Sequence, residues 1–163
     1  MKLDVRHVFP CSADQFLAMF WDDDFDRYLQ EGAAVNRTIL SERKEGDVHH
    51  WRMRFEPDRE LPGPVAKILG ADKLVYEQET RLGPDRVLHW EVIPAVAADK
   101  VSAKGTMHTA PHANGIERIV QGEIKVRVPL VGGRIEKAIV GNVTESYEKA
   151  AEATMKWLAS KHG

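Results

Sequence analysis

The side chains best suited to chemistry are scattered along this sequence, and what groups them is strand spacing. Trp51, Met53 and Phe55 alternate with Arg52 and Arg54, so they share one face of a predicted strand; Tyr76, Gln78, Trp90 and Met107 hold matching positions in later period-two segments. Tryptophan and methionine give wide, adaptable apolar surface, and Gln78 and the Tyr76 hydroxyl can fix a polar head group. The set therefore suits an amphipathic ligand, although each residue alone also reads as ordinary core packing. His7 falls on the same face as Leu3, Val5 and Phe9, where it is either a general base or orienting donor, or a hydrogen-bonded core histidine. Arg118 is in register with Val120, Gly122 and Ile124 and near Met107; there it can meet a carboxylate or phosphate head, or reach solvent past the hairpin end.

Other reactive residue types do not converge. His49, His50, His89, His108 and His112 show no metal-ligand spacing, and alternation sends His49 and His50 to opposite faces. No metal and no cofactor is expected, and no glycine-rich phosphate loop is visible. Cys11, the only cysteine, stands beside a predicted helix start that can lower its pKa, but no partner histidine is identifiable. A lone cysteine excludes an intramolecular disulfide and fits a reducing compartment.

These residues need elements to position them. Leu3 to Phe9 alternate as a strand ending at Pro10; Ser12 and Gln15 form a capping box ahead of Phe16, Met19 and Phe20; Asp22, Asp23 and Asp24 offer a second helix start, with Gly32 placed to stop it. From Val35 to Val128 the period is two, with turns at Glu45-Gly46-Asp47, Gly83-Pro84-Asp85 and Asn114-Gly115, hence three hairpins. Pairing about Gly83-Pro84-Asp85 sets Thr80 opposite Leu88, Gln78 opposite Trp90 and Tyr76 opposite Val92. The strand near Val35 to Leu40 is ambiguous, because both of its faces mix apolar and polar residues. Leu61 to Gly70 reads as a short proline-started helix with a stripe of Val65, Ile68 and Leu69, either a lid over a cavity mouth or a fixed cap on the core. After Gly132-Gly133, which allow a tight turn, Ile135, Ala138, Ile139, Val143, Tyr147, Ala151, Thr154, Trp157 and Leu158 form one helical stripe. From Arg134 to Lys161 that helix would span roughly 40 Å, and Glu136 near its start with Lys156, Lys161 and His162 near its end suit its dipole.

The bulk properties restrict function. With 163 residues, one domain covering 1–163 is expected. A formal charge of −2 with 29% charged residues of both signs provides no strong field, so neither nucleic acid nor an anionic membrane is an expected partner. The N-terminal charges do not suit a signal peptide, and no run reaches the ~18 apolar residues of a span, so a cytoplasmic location is expected.

The order of one strand, two short helices, about six antiparallel strands and a long terminal helix resembles the helix-grip order across the whole chain. The strongest local match is Val126-Arg127-Val128-Pro129-Leu130-Val131-Gly132-Gly133-Arg134-Ile135-Glu136, with the ending Thr154-Met155-Lys156-Trp157-Leu158. It is similar to the START-like (SRPBCC) superfamily of lipid-transfer domains, polyketide cyclases and plant ligand-binding allergens, and most resembles an uncharacterised group of small bacterial START-like proteins. The resemblance implies an α+β fold: a bent antiparallel sheet with two short helices and a long C-terminal helix enclosing a cavity. The expected function is non-catalytic binding, transport or sensing of a small hydrophobic or lipid-like molecule, with Ile139 and Val143 completing the wall formed by Trp51, Met53, Phe55, Tyr76, Gln78, Trp90, Met107 and Arg118. Two alternatives stay open: a cyclase or aromatase in which His7 or Tyr76 moves protons, and an interaction module whose core is filled by its own side chains.

Overall fold

The computed structural model describes residues 1–95 and 98–162, excepting the side chains of Lys161 and His162, so the basic end expected for the last helix lies partly outside the described residues. The chain runs β1 (Lys2–Phe9), α1 (Ala13–Ala18), a 3-10 turn (Met19–Trp21), α2 (Asp23–Ala33), β2 (Val35–Glu45), β3 (Val48–Pro57), α3 (Gly63–Leu69), β4 (Tyr76–Leu82), β5 (Leu88–Pro94), β6 (Val101–His112), β7 (Gly115–Val126) and α4 (Gly132–His162). The strands form one seven-stranded sheet in the order β1-β7-β6-β5-β4-β3-β2, antiparallel at every pairing. This bent sheet and the long α4 make the expected START-like, helix-grip fold.

Local chemistry accounts for the helix starts. The Ser12 hydroxyl accepts from Gln15 N while the Gln15 side chain accepts from Ser12 N, the reciprocal box expected from the sequence. Asp22 caps α2 by accepting from Asp24 N and Phe25 N. Gly32 does not stop α2: the helix continues to Ala33, and Ala34 takes the left-handed conformation at φ 54°. At Gly32 a Cβ would stand 2.7 Å from that of Ala153, so this glycine lets α2 and α4 approach. The turn into α4 likewise takes its left-handed residue from Leu130, at φ 70°.

One strand register differs from expectation, and the pairing of β2 resolves a strand that alternation left ambiguous. Across β4 and β5, Leu82 pairs with Leu88, Thr80 with Trp90, Gln78 with Val92 and Tyr76 with Pro94. The shift is two residues, because the loop runs from Gly83 to Val87 and is held by Arg86 N on Gly83 O (3.1 Å) and Val87 N on Asp85 Oδ1 (3.2 Å). A shift of two preserves the faces. In β2 the pairing slips between Ile39 and Ser41, a bulge at Leu40 that exchanges inward and outward positions along the strand. Even with the exchange allowed for, neither face of β2 is apolar throughout, because Arg37, Glu42 and Lys44 share the inward positions with Val35 and Ile39 and most of the strand is exposed.

The core has two connected parts. One joins Leu3, Val5, Val120, Ile124 and Val126 of β1 and β7 to Ile135 and Ile139 of α4, with Leu61, Val65 and Leu69 from around α3. The other gathers Phe9, Cys11, Phe16, Met19 and Phe25 with Ala151 and Leu158 near the far end of α4. In α3 the buried residues are Val65 and Leu69, whereas Ile68, expected in the same stripe, is 45% exposed.

Candidate functional site

The inner face of the sheet brings the sequence-predicted residues together in cross-strand rows. One row runs Trp51, Thr80, Trp90, Gly105, Gly122 and Leu3. The next runs Met53, Gln78, Val92 and Ala103. A third pairs Phe55 with Tyr76, whose rings stack at 5.1 Å. Met107 lies opposite Leu88 on one side and Val120 on the other. Ile139 and Val143 come from α4, whose close contacts are with β7, β1 and α2. On the far arm, Arg59 ties the segment after β3 to the middle of α4, donating from Nη1 to Asn142 O (2.9 Å) and Ser146 Oγ (3.1 Å).

These side chains are not equally enclosed. Met53, Trp90, Arg118 and Ile139 are buried, whereas Trp51, Phe55, Tyr76, Gln78, Met107 and Val143 are only partly buried. Trp90 lies across the two glycines of its row: a Cβ at Gly105 would stand 2.6 Å from the indole Cζ2, and one at Gly122 2.5 Å. The indole therefore occupies the space that these glycines vacate. Its Nε1 is buried without a hydrogen-bond partner among the described residues. Gln78 Nε2 donates to the buried Thr80 hydroxyl at 3.1 Å, within the sheet.

A polar centre lies beside this surface. His7, Arg118 and Thr109 occupy one cross-strand row. The Arg118 guanidinium is sandwiched between the rings of Phe9 and Tyr147, 5.1 Å from each centroid, and Nη2 donates to His7 Nδ1 at 3.0 Å. Because arginine only donates, His7 accepts at Nδ1 and its proton sits on Nε2. Burial and the neighbouring guanidinium both hold the His7 pKa below its ordinary value, with Glu148 opposing weakly. Arg118 does not reach solvent as the hairpin end suggested: it is 6% exposed, its Nε has no partner, and burial lowers its pKa to about 10.

Tyr147 of α4 joins this centre to the opposite arm. Burial drives its phenol pKa up, while Arg118 and Arg37 pull it back down. Tyr76 is driven up by burial and, secondarily, by Tyr147. Arg37 is ion-paired with Asp26 of α2, and its backbone N–H donates to the Gln30 side chain at 3.0 Å. Sequence reasoning missed Arg37 because the β2 bulge hid its inward position, and it read Tyr147 simply as one residue of an apolar stripe. It also missed Trp21, whose ring stacks on His49 at 4.5 Å and meets Trp51 edge-on at 5.6 Å.

Other candidates separate from this site. Cys11 is buried, and burial raises its pKa, the opposite of activation by a helix start. A groove of about 780 Å³ is lined mainly by outward-facing polar residues of the sheet, among them Asp4, Glu79, Arg81, His89 and Lys104, and of the predicted apolar wall it includes Trp90 alone.

With this geometry in view, the comparisons place the chain. It belongs to the family described as "Protein of unknown function (DUF2505)", which matches residues 4–158. No curated protein sequence matches. Among solved structures, TTHA0849 from Thermus thermophilus is 14% identical, with a TM-score of 0.69 over 100% of both chains. A START superfamily protein from Mycobacterium smegmatis is 15% identical, covering 97% of each chain at a TM-score of 0.61. The di-domain ARO/CYC StfQ from the steffimycin biosynthetic pathway is 9% identical, covering 98% of this chain and 51% of that one, also at 0.61. At these identities the likeness establishes the START-like fold. No helix among the described residues is long and apolar enough to cross a membrane.

Proposed function

We propose that this chain, working as a single cytoplasmic domain of residues 1–163, binds a small hydrophobic or lipid-like molecule between α4 and the inner face of β3, β4 and β5, and carries or senses it without transforming it. The observation that carries this reading is geometric: α4 packs closely on β7, β1 and α2, while on the inner face of β3 and β4 the residues Trp51, Phe55, Tyr76 and Gln78 are only partly buried. A bent sheet that leaves large side chains part-covered on its inner face offers apolar surface to a small molecule lying beneath α4. Met107 and Val143 continue that surface with apolar, partly buried side chains.

The surroundings of the ionisable side chains favour binding over catalysis. General acid–base work near neutral pH needs a group poised there. Tyr76 and Tyr147 are both pushed away from neutrality, and the His7 Nδ1 lone pair is engaged by Arg118. The test is titration with N-phenyl-1-naphthylamine, a neutral apolar fluorophore. Saturable, stoichiometric enhancement that is lost in Met107→Asp, with the variant still folded, is expected. Wild-type protein that gives no saturable signal would overturn the proposal.

A further inference from the structure

Resting on the binding reading above, we infer that the ligand is a monoanionic amphiphile whose carboxylate seats on Arg118, between Phe9 and Tyr147. The argument begins with charge. Two arginines approach the interior near Tyr147, and their circumstances differ. Arg37 is neutralised by Asp26, whereas Arg118 makes no ion pair with a carboxylate among the described residues. Glu148 influences His7, but it is exposed on α4. Arg118 is nevertheless buried to 6% exposure, with two aromatic faces and one neutral imidazole nitrogen as its company.

A guanidinium stays charged at neutral pH, and leaving one desolvated without a counter-charge is costly. Aromatic faces and an imidazole lone pair reduce that cost without cancelling the charge. The unsatisfied donor identifies the complement. Nη2 is engaged by His7, while Nε–H is buried and unpartnered, so an acceptor is missing on the Nε side of the fork. A carboxylate is the acceptor whose planar shape complements a guanidinium fork, and it brings one negative charge to one uncompensated positive charge. A phosphate dianion would instead exchange a buried excess of one sign for the other. Met107 lies diagonally across the β6–β7 pairing from Arg118, next to Val120, so an apolar chain leaving the head group can follow the inner face toward Met107 and Trp51.

The experiment compares dodecanoate, 1-dodecanol and methyl dodecanoate as displacers of N-phenyl-1-naphthylamine from the full chain. Wild type should prefer the acid over alcohol and ester by about tenfold or more, the range of a charge-assisted hydrogen bond. Arg118→Met should bring the acid down to the level of the alcohol while leaving alcohol binding within about twofold. A thermal melt establishes that the variant is folded. If it is not, the wild-type protein alone decides by NMR: the Arg118 Nε–H resonance should move downfield with dodecanoate and stay in place with dodecanol. Equal binding of acid and alcohol with an unmoved Nε–H would overturn the anionic head while leaving the apolar cleft intact. Failure of all three compounds and of the fluorophore would overturn the cleft itself.

Discussion

Replacing Trp90 by alanine tests whether the inner face is packed where the glycines lie and open only beyond them. The indole is 7% exposed and lies over Gly105 and Gly122, which have no side chains to fill the space it would leave. Emptying a packed tryptophan site costs ~3–5 kcal/mol. At about 2–4 °C per kcal/mol for a chain of this size, the melting temperature should fall by roughly 6–20 °C. Urea denaturation followed by far-UV circular dichroism should show a lower midpoint with an unchanged slope. Trp90→Phe should cost markedly less, because it keeps most of the ring and removes the unpartnered Nε1 donor. Should Trp90→Ala fall within about 1 kcal/mol of wild type, the indole would be facing open space and the packing described around the two glycines would be wrong.

Further perturbations address the other elements. Truncation after Gly141 removes Tyr147, Ala151, Thr154 and Leu158 from the interior; at ~1.5–3 kcal/mol for each large apolar side chain, calorimetry should find no cooperative transition, and a transition near that of the full chain would contradict the role given to α4. Ile68→Asp, at an exposed position of α3, should leave the melting temperature almost unchanged, while Leu69→Asp should lower stability by about 2–4 kcal/mol; equal effects would show that α3 is seated differently. His7 gives a pH dependence of definite sign. Its folded pKa lies below 6.5, so below that value the unfolded chain binds the proton more readily and stability falls as pH drops through the window. His7→Phe should flatten this part of a stability–pH profile measured by urea melts, and an unchanged profile would refute the assignment.

Much of the architecture was legible because alternation and helical stripes report burial directly. Leu3, Val5, His7 and Phe9 gave β1, and the stripe from Ile135 to Leu158 gave α4, since one face of each must leave water. Features that depend on tertiary closeness were not legible. The Leu40 bulge reverses the faces of β2 and so concealed Arg37; Gly32 looked like a helix stop, although its role is contact with Ala153. For the site, strand parity placed Trp51, Met53, Phe55, Gln78 and Trp90 on one face. It could not distinguish the buried Trp90 from the partly open Trp51, because that difference arises from the space over Gly105 and Gly122, which the Trp90 indole fills. Arg118 was visible as an inward arginine, but its confinement between Phe9 and Tyr147 joins residues far apart in sequence.

The central claim, that a small amphiphile lodges between α4 and the inner face of the sheet, is tested most directly by native mass spectrometry of protein purified without detergent and then incubated with dodecanoate. The account predicts a one-to-one complex that survives gentle desolvation, dissociates on acid denaturation and is lost in the folded Met107→Asp variant. A spectrum containing only the bare chain, both as purified and with dodecanoate present, would contradict it.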